Sequence, residues 1–153
     1  DKAREAIAEY QKVLQKNPAD QSSFKAVASL YENLQMQPEW EKWVTERANS
    51  ENVPDEQRAE ALVTLAARKY TCANEISDAE GVKKTVREGD KDVYQFVKPA
   101  NEQDFQTLKQ CTQEGLQLID RAVKLAPNSD SAWSYNANLL AQKARIAEME
   151  GNK

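Results

Sequence analysis

Histidine is absent from this 153-residue chain. That removes the usual general base and the commonest metal ligand. Two cysteines are too few for a four-cysteine structural zinc site. Four glycines and five prolines are too few for a loop-rich or disordered chain. No apolar run approaches the roughly 20 residues a bilayer-crossing helix needs, and a net charge of -4 carries no basic footprint for nucleic acid. There is neither an initiator methionine nor a signal peptide. The chain opens in mid-pattern, so it is expected to be a fragment, with any targeting sequence outside it. What is left is 40% hydrophobic and 30% charged residues, the balance of a soluble helical protein. The length suits one domain or one piece of a solenoid.

The residues present are organised by a near-repeat. Ala6 to Pro18 and Gly115 to Pro127 share one pattern. A small residue (Ala6, Gly115) is followed four positions on by a large one (Tyr10, Ile119). An apolar pair comes next (Val13-Leu14, Ala122-Val123), and then a proline. This is a helix with a narrow apolar face and a stop at its C-terminal end. Each copy leads into a second helix that opens with an aromatic, Phe24 or Trp133. A recurring helix pair is the mark of a helical repeat array.

In chain order, the pattern predicts a first helix over 1–17, stopped by Pro18. A second, capped by Asp20 or Ser22, runs to about Leu34 with Phe24, Val27, Ala28 and Tyr31 on its apolar face. Pro38, tolerated in a first helical turn, opens a third helix to about Ala48, with Trp40, Trp43, Val44 and Ala48 inward. Tyr10 and Val44 are one 34-residue period apart. Asp55 is expected to cap a fourth helix to about Asn74. It repeats the Phe24-to-Tyr31 spacing as Val63, Ala66, Ala67 and Tyr70; a frame on Leu62, Leu65 and Ala66 is nearly as good. There the period breaks. Tyr70 and Ile119 are 49 positions apart, where Tyr31 and Val44 are 13 apart, so about 36 residues are inserted. Within them Val82–Val86 and Val93–Val97 flank Glu88-Gly89-Asp90 and read as a β-hairpin, which should lie against the helices because a lone hairpin is marginal in water. A fifth helix over about 102–125 and a sixth over about 130–149, with Trp133, Ala137 and Leu140 inward, complete the chain.

These positions resemble the tetratricopeptide repeat. Phe24/Val27/Ala28/Tyr31 and Trp133/Ala137/Leu140 match first helices of its units; Ala6/Tyr10/Val13/Pro18 and Gly115/Ile119/Ala122/Pro127 match second helices. Trp40 departs from the family in standing where a small residue is usual, and Asn136 in replacing a leucine. The resemblance implies an all-α fold, a right-handed α-solenoid of antiparallel helix pairs. The units would be a half repeat over 1–20, a repeat over 21–53, a repeat over 54–127 carrying the insert at about 74–108, and a half repeat over 128–153. It also implies a concave groove that holds a peptide or protein. The residues expected to face it are Ser22, Lys25, Ser29, Thr64, Arg68, Thr71, Ser134 and Asn138. Lys25, Arg68 and Asn138 do not reproduce the spacing by which one subgroup clamps a C-terminal carboxylate. Solvated helix faces are the simpler reading.

Cys72 lies near the end of one helix and Cys111 in the first turns of the helix expected to pair with it. The insert leaves beside one thiol and returns beside the other, so a disulfide is predicted to staple its neck. The alternative is two small buried residues that never meet. A disulfide favours the periplasm or cell exterior; without one, the cytoplasm is favoured. No third ligand suggests a metal, and the spacing is not that of a redox Cys-x-x-Cys motif.

Carboxylates such as Asp1/Glu5/Glu9 follow exposed helix faces rather than a catalytic pairing. Trp40 and Trp43 suit a core better than an aromatic binding surface, and Tyr94 and Phe96 are expected to pack on the repeats. The functional expectation is a protein-interaction module, binding through its groove or inserted hairpin. The alternative is a structural spacer or self-association segment, with a homo-oligomer possible. No enzyme activity, cofactor, nucleic acid or membrane insertion is expected.

Overall fold

A computed structural model describes residues 1–152; Lys153, the last residue of the expected closing half unit, lies outside them. Six helices and one hairpin follow one another: α1 Lys2–Lys16, α2 Gln21–Asn33, α3 Gln37–Asn49, α4 Asp55–Ser77, β1 Lys83–Glu88, β2 Lys91–Phe96, α5 Glu102–Leu125 and α6 Asp130–Met149. Each helix packs on the next, and α4 also packs on α6. Contacts between α4 and α5 run in opposite chain order, Lys69 with Glu114 and Cys72 with Cys111, so those helices are antiparallel. Contacts between α2 and α4 run in the same order, Lys25 with Glu60 and Glu32 with Arg68, so those are parallel. Among the described residues no helix is long and apolar enough to cross a membrane.

Local chemistry sets most boundaries. Asn101 accepts a hydrogen bond from the Gln103 amide at 2.8 Å, and Ser129 one from the Ala132 amide at 3.2 Å, capping α5 and α6. Asp55 is not a cap: Pro54 holds that position, and Asp55 is the first helical residue, 3.5 Å from Arg58. The end of α2 is a Schellman turn, with the Met36 amide donating to the Tyr31 carbonyl and the Gln35 amide to that of Glu32, both at 2.9 Å. Its left-handed position is filled by Gln35 at φ 56°, whereas the same turn after α6 uses Gly151 at φ 80°. A side chain in that region costs roughly 1–2 kcal/mol, partly offset by glycine's greater freedom when unfolded. Gln35→Gly is therefore expected to raise the unfolding free energy by about 0.5–1 kcal/mol in urea melts; a loss would show that the Gln35 side chain contributes elsewhere.

The main core joins Phe24 of α2, Trp40, Val44 and Ala48 of α3, Leu62, Leu65 and Ala66 of α4, Ile119 and Ala122 of α5, and Leu139 of α6. Central α4 buries Leu62 and Leu65 as well as Val63 and Ala66, so both of its possible apolar frames are occupied. Trp40 is buried, and Trp43 is half-buried, stacked on Phe24 with ring centroids 5.9 Å apart. Gly115 sits where α5 meets both α4 and α6: a Cβ there would stand 2.7 Å from a methyl carbon of Leu139 and 3.1 Å from Lys69 Cβ.

Two expected faces are corrected. On α6, Trp133 and Leu140 are 50% and 49% exposed, and the inward residues are Ala132, Leu139, Gln142 and Ile146. Ala137 is exposed as well. On α1, Tyr10 and Val13 are 38% and 43% exposed while Ile7 is buried. In both cases the repeat pattern names a face that needs a further helix beside it, and α1 and α6 are the first and last helices of the row.

The insert is a two-stranded antiparallel hairpin paired from Lys83 with Phe96 to Glu88 with Lys91. Gly89, at φ 62°, takes the first place of its two-residue turn, where a positive φ is needed. Phe96 lies toward α6, its amide donating to Glu148 Oε1 at 3.2 Å and its ring 4.4 Å below the Arg145 guanidinium. Tyr94, expected to pack on the helices, instead stands 63% exposed with Lys83 Nζ 4.3 Å from its ring. Helix α4 runs three residues beyond its expected end because buried Ser77 donates to Gln142 Oε1 at 2.7 Å, and Arg145 donates to Ser77 Oγ at 2.9 Å.

Candidate functional site

Three of the residues expected in a groove come together. Lys25 and Ser29 of α2 and Thr64 of α4 rim a depression of about 200 Å³ between the two helices. Its floor is apolar, made by Phe24, Ala28, Trp40, Val44 and Ala61, and Gln21, Glu32 and Glu60 complete the rim. Arg68 stands two turns beyond Glu60 on α4, its guanidinium 3.5 Å over the Trp40 ring. Ser22, Thr71, Ser134 and Asn138 are exposed, but the depression does not include them. Thr71 bonds back to the Ala67 carbonyl at 3.1 Å, within its own helix.

Both cations are already engaged. Lys25 Nζ lies 2.7 Å from Glu60 Oε1, and Gln21 donates to the other oxygen of the same carboxylate at 2.7 Å. Arg68 donates to Glu32 and, at 2.7 Å, to Gln37 Oε1. These exposed pairs are worth little as stability, on the order of 0–1 kcal/mol each. As a surface they matter more: an incoming carboxylate must displace Glu32 or Glu60 to reach a cation. Sequence reasoning named the cations and missed these partners. The signal was present, since Lys25 and Glu60 are 35 positions apart and Glu32 and Arg68 are 36 apart, close to one repeat period with signs opposed.

A second cluster lies at the Phe24 end of the depression. Arg47 of α3 is only 6% exposed. Its guanidinium donates to the Pro18 carbonyl, to Gln21 Oε1 at 2.7 Å and to Gln57 Oε1 at 2.6 Å, and lies 4.6 Å over the Phe24 ring. Burial lowers its pKa from the ordinary arginine value, against the raising pull of Asp20 and Glu60. Its remaining Nε–H is buried without a partner.

The two thiols stand at the neck of the insert. Their sulfurs are at disulfide distance, 2.02 Å, with Cα atoms 6.2 Å apart and 39 positions between them in sequence. Phe105, Leu108, Ala73 and Ile146 form a second apolar cluster around Cys111. One turn away Lys69 Nζ meets Glu114 at 2.6 Å. That contact, with a hydrogen bond from Gln110, holds the Glu114 carboxyl below its usual range. Comparison with family models, with curated proteins and with solved structures finds no match to this chain.

Proposed function

We propose that this chain is a tetratricopeptide-like interaction module that docks an extended peptide or protein segment in the depression between α2 and α4. The observation that carries the reading is the make-up of that depression: an apolar floor enclosed by a rim of both charge signs. Such a surface anchors an apolar side chain and orients it through polar contacts at the edge, the usual division of labour in a binding site. The alternation of antiparallel neighbours and parallel next-neighbours supports a stacked repeat. Because Glu32 and Glu60 occupy the cations, the ligand is a segment with an apolar anchor flanked by polar groups that bond to the paired rim, rather than one led by a carboxylate. The disulfide-distance thiols support an oxidising setting, the periplasm or cell exterior, since a reducing cytosol would keep both free.

Selection of peptides from a random display library against the folded chain, followed by calorimetry, tests the reading. Selected peptides are expected to bind Lys25→Ala plus Arg68→Ala at least about tenfold more weakly, a loss of roughly 1.4 kcal/mol. Unchanged affinity would place binding elsewhere. A second reading, a structural spacer or self-association segment of a larger multi-repeat protein, is favoured by a separate observation: the exposed apolar faces of α1 and α6, which a further repeat or a second copy would cover.

A further inference from the structure

The seam between α2 and α4 is wider than the seam between α4 and α6. In the repeat pattern, Trp40 of α3 stands where α1 has Ala6 and α5 has Gly115. On α5 that position points into the seam between α4 and α6, since a Cβ on Gly115 would meet Lys69 and Leu139. With no side chain there, α4 and α6 pack backbone against backbone. On α3 the same position carries an indole, 2% exposed, at the floor of the depression between α2 and α4. Those two helices have almost none of that close packing. Long side chains join them instead, Lys25 with Glu60 and Arg68 with Glu32. Arg68 also lies 3.5 Å over the indole and donates to Gln37, which braces the ring where it stands. Each of α2, α3 and α4 has a neighbour on both sides in the row, so the depression is an interior feature of it.

We infer that Trp40 makes the binding depression: it wedges α2 away from α4, and the space beside it takes one uncharged apolar side chain, a ring or a branched alkyl group, from the docked segment. The inference rests on the groove reading above and adds the residue that opens the pocket and the class of group that fills it. The depression holds about 200 Å³. A cavity of roughly 150 Å³ takes a benzene, so there is room for one such group. Ala28 and Ala61 are the small residues that leave this room beside the indole. An anionic anchor finds no open cation, because Glu60 and Glu32 already pair with both. An apolar group loses its water against Phe24, Trp40 and Val44 while its own backbone stays at the polar rim.

Titration of the chain with N-acetyl-phenylalaninamide, N-acetyl-leucinamide and N-acetyl-glycinamide, followed by nuclear magnetic resonance, tests the anchor. The first two are expected to shift the amides of Ala28, Val44 and Ala61, with millimolar dissociation constants. The glycine compound, which lacks the side chain, should not. Ala28→Leu, checked for native circular dichroism, fills the depression from α2 and should weaken both ligands at least about tenfold. Shifts elsewhere, equal shifts from the glycine compound, or unchanged binding to Ala28→Leu overturn the anchor. Trp40→Phe tests the wedge with a smaller ring that still fills the core. The distance between ketone-linked spin labels at exposed Asn33 of α2 and Thr71 of α4 should then shorten by about 1 Å, as interaxial distance follows the side chains at a contact. An unchanged distance overturns the wedge. Library-selected peptides that lose affinity on Lys25→Ala plus Arg68→Ala yet bind Ala28→Leu unchanged would overturn this inference and leave the groove reading in place. Peptides indifferent to all three substitutions would remove the groove reading itself.

Discussion

Reduction of the Cys72–Cys111 pair, or its replacement by two serines, is expected to lower the unfolding free energy by up to about 4 kcal/mol. That figure is the chain-entropy value for the 39-position separation of the two thiols. At the usual conversion for a chain of this size the melting temperature should fall by roughly 8–16 °C. The effect is expected to act mainly on the unfolded chain, because α4 and α5 also share one buried core that holds Leu62, Ala66, Ile119 and Ala122, and are joined by Lys69 with Glu114. Far-ultraviolet circular dichroism should thus be unchanged on reduction at room temperature while urea melts shift. A shift below about 1 kcal/mol would mean that the two helix ends are already neighbours in the unfolded ensemble.

Arg47→Ala is expected to cost about 3 kcal/mol, the second large effect. The substitution strips partners from the Pro18 carbonyl and from two glutamine oxygens and empties space beside Phe24. Arg47→Lys should recover little, roughly 1 kcal/mol at most, since one ammonium cannot serve three acceptors in a plane while lying over a ring. Because Gln21 and Gln57 also tie α2 and α4 to this point, the depression should loosen at its Phe24 end before the rest of the molecule. Hydrogen exchange at α2 amides would show that order. A loss under about 1 kcal/mol for the alanine variant would demote Arg47 to a spectator.

Local signals made much of the architecture legible. Prolines at 18, 38, 54 and 127 punctuate the helices where expected, and the alternation about Gly89 marks the hairpin. The position of the two thiols at the neck followed from the same period count. What was not legible depends on neighbours remote in sequence. The three extra residues of α4 are held by Gln142 and Arg145, more than 60 positions away. The inward face of α6 could not be read from its own pattern, because Trp133, Ala137 and Leu140 form a good stripe whether or not anything covers it. Lys25 and Arg68 were found by residue type; their pairing with Glu60 and Glu32 was legible only in the opposed charges one period apart, once α2 and α4 are taken as parallel neighbours.

Gly115 turns one missing carbon atom into a dimension of the whole surface. Its bare Cα lets Leu139 nest against α5 and draws α6 in beside α4. Larger groups at that single position would act as shims of graded thickness, tilting α6 outward and carrying Ser134 and Asn138 with it. The spacing of the exposed helix faces is in this sense set from behind, by a residue buried within the stack.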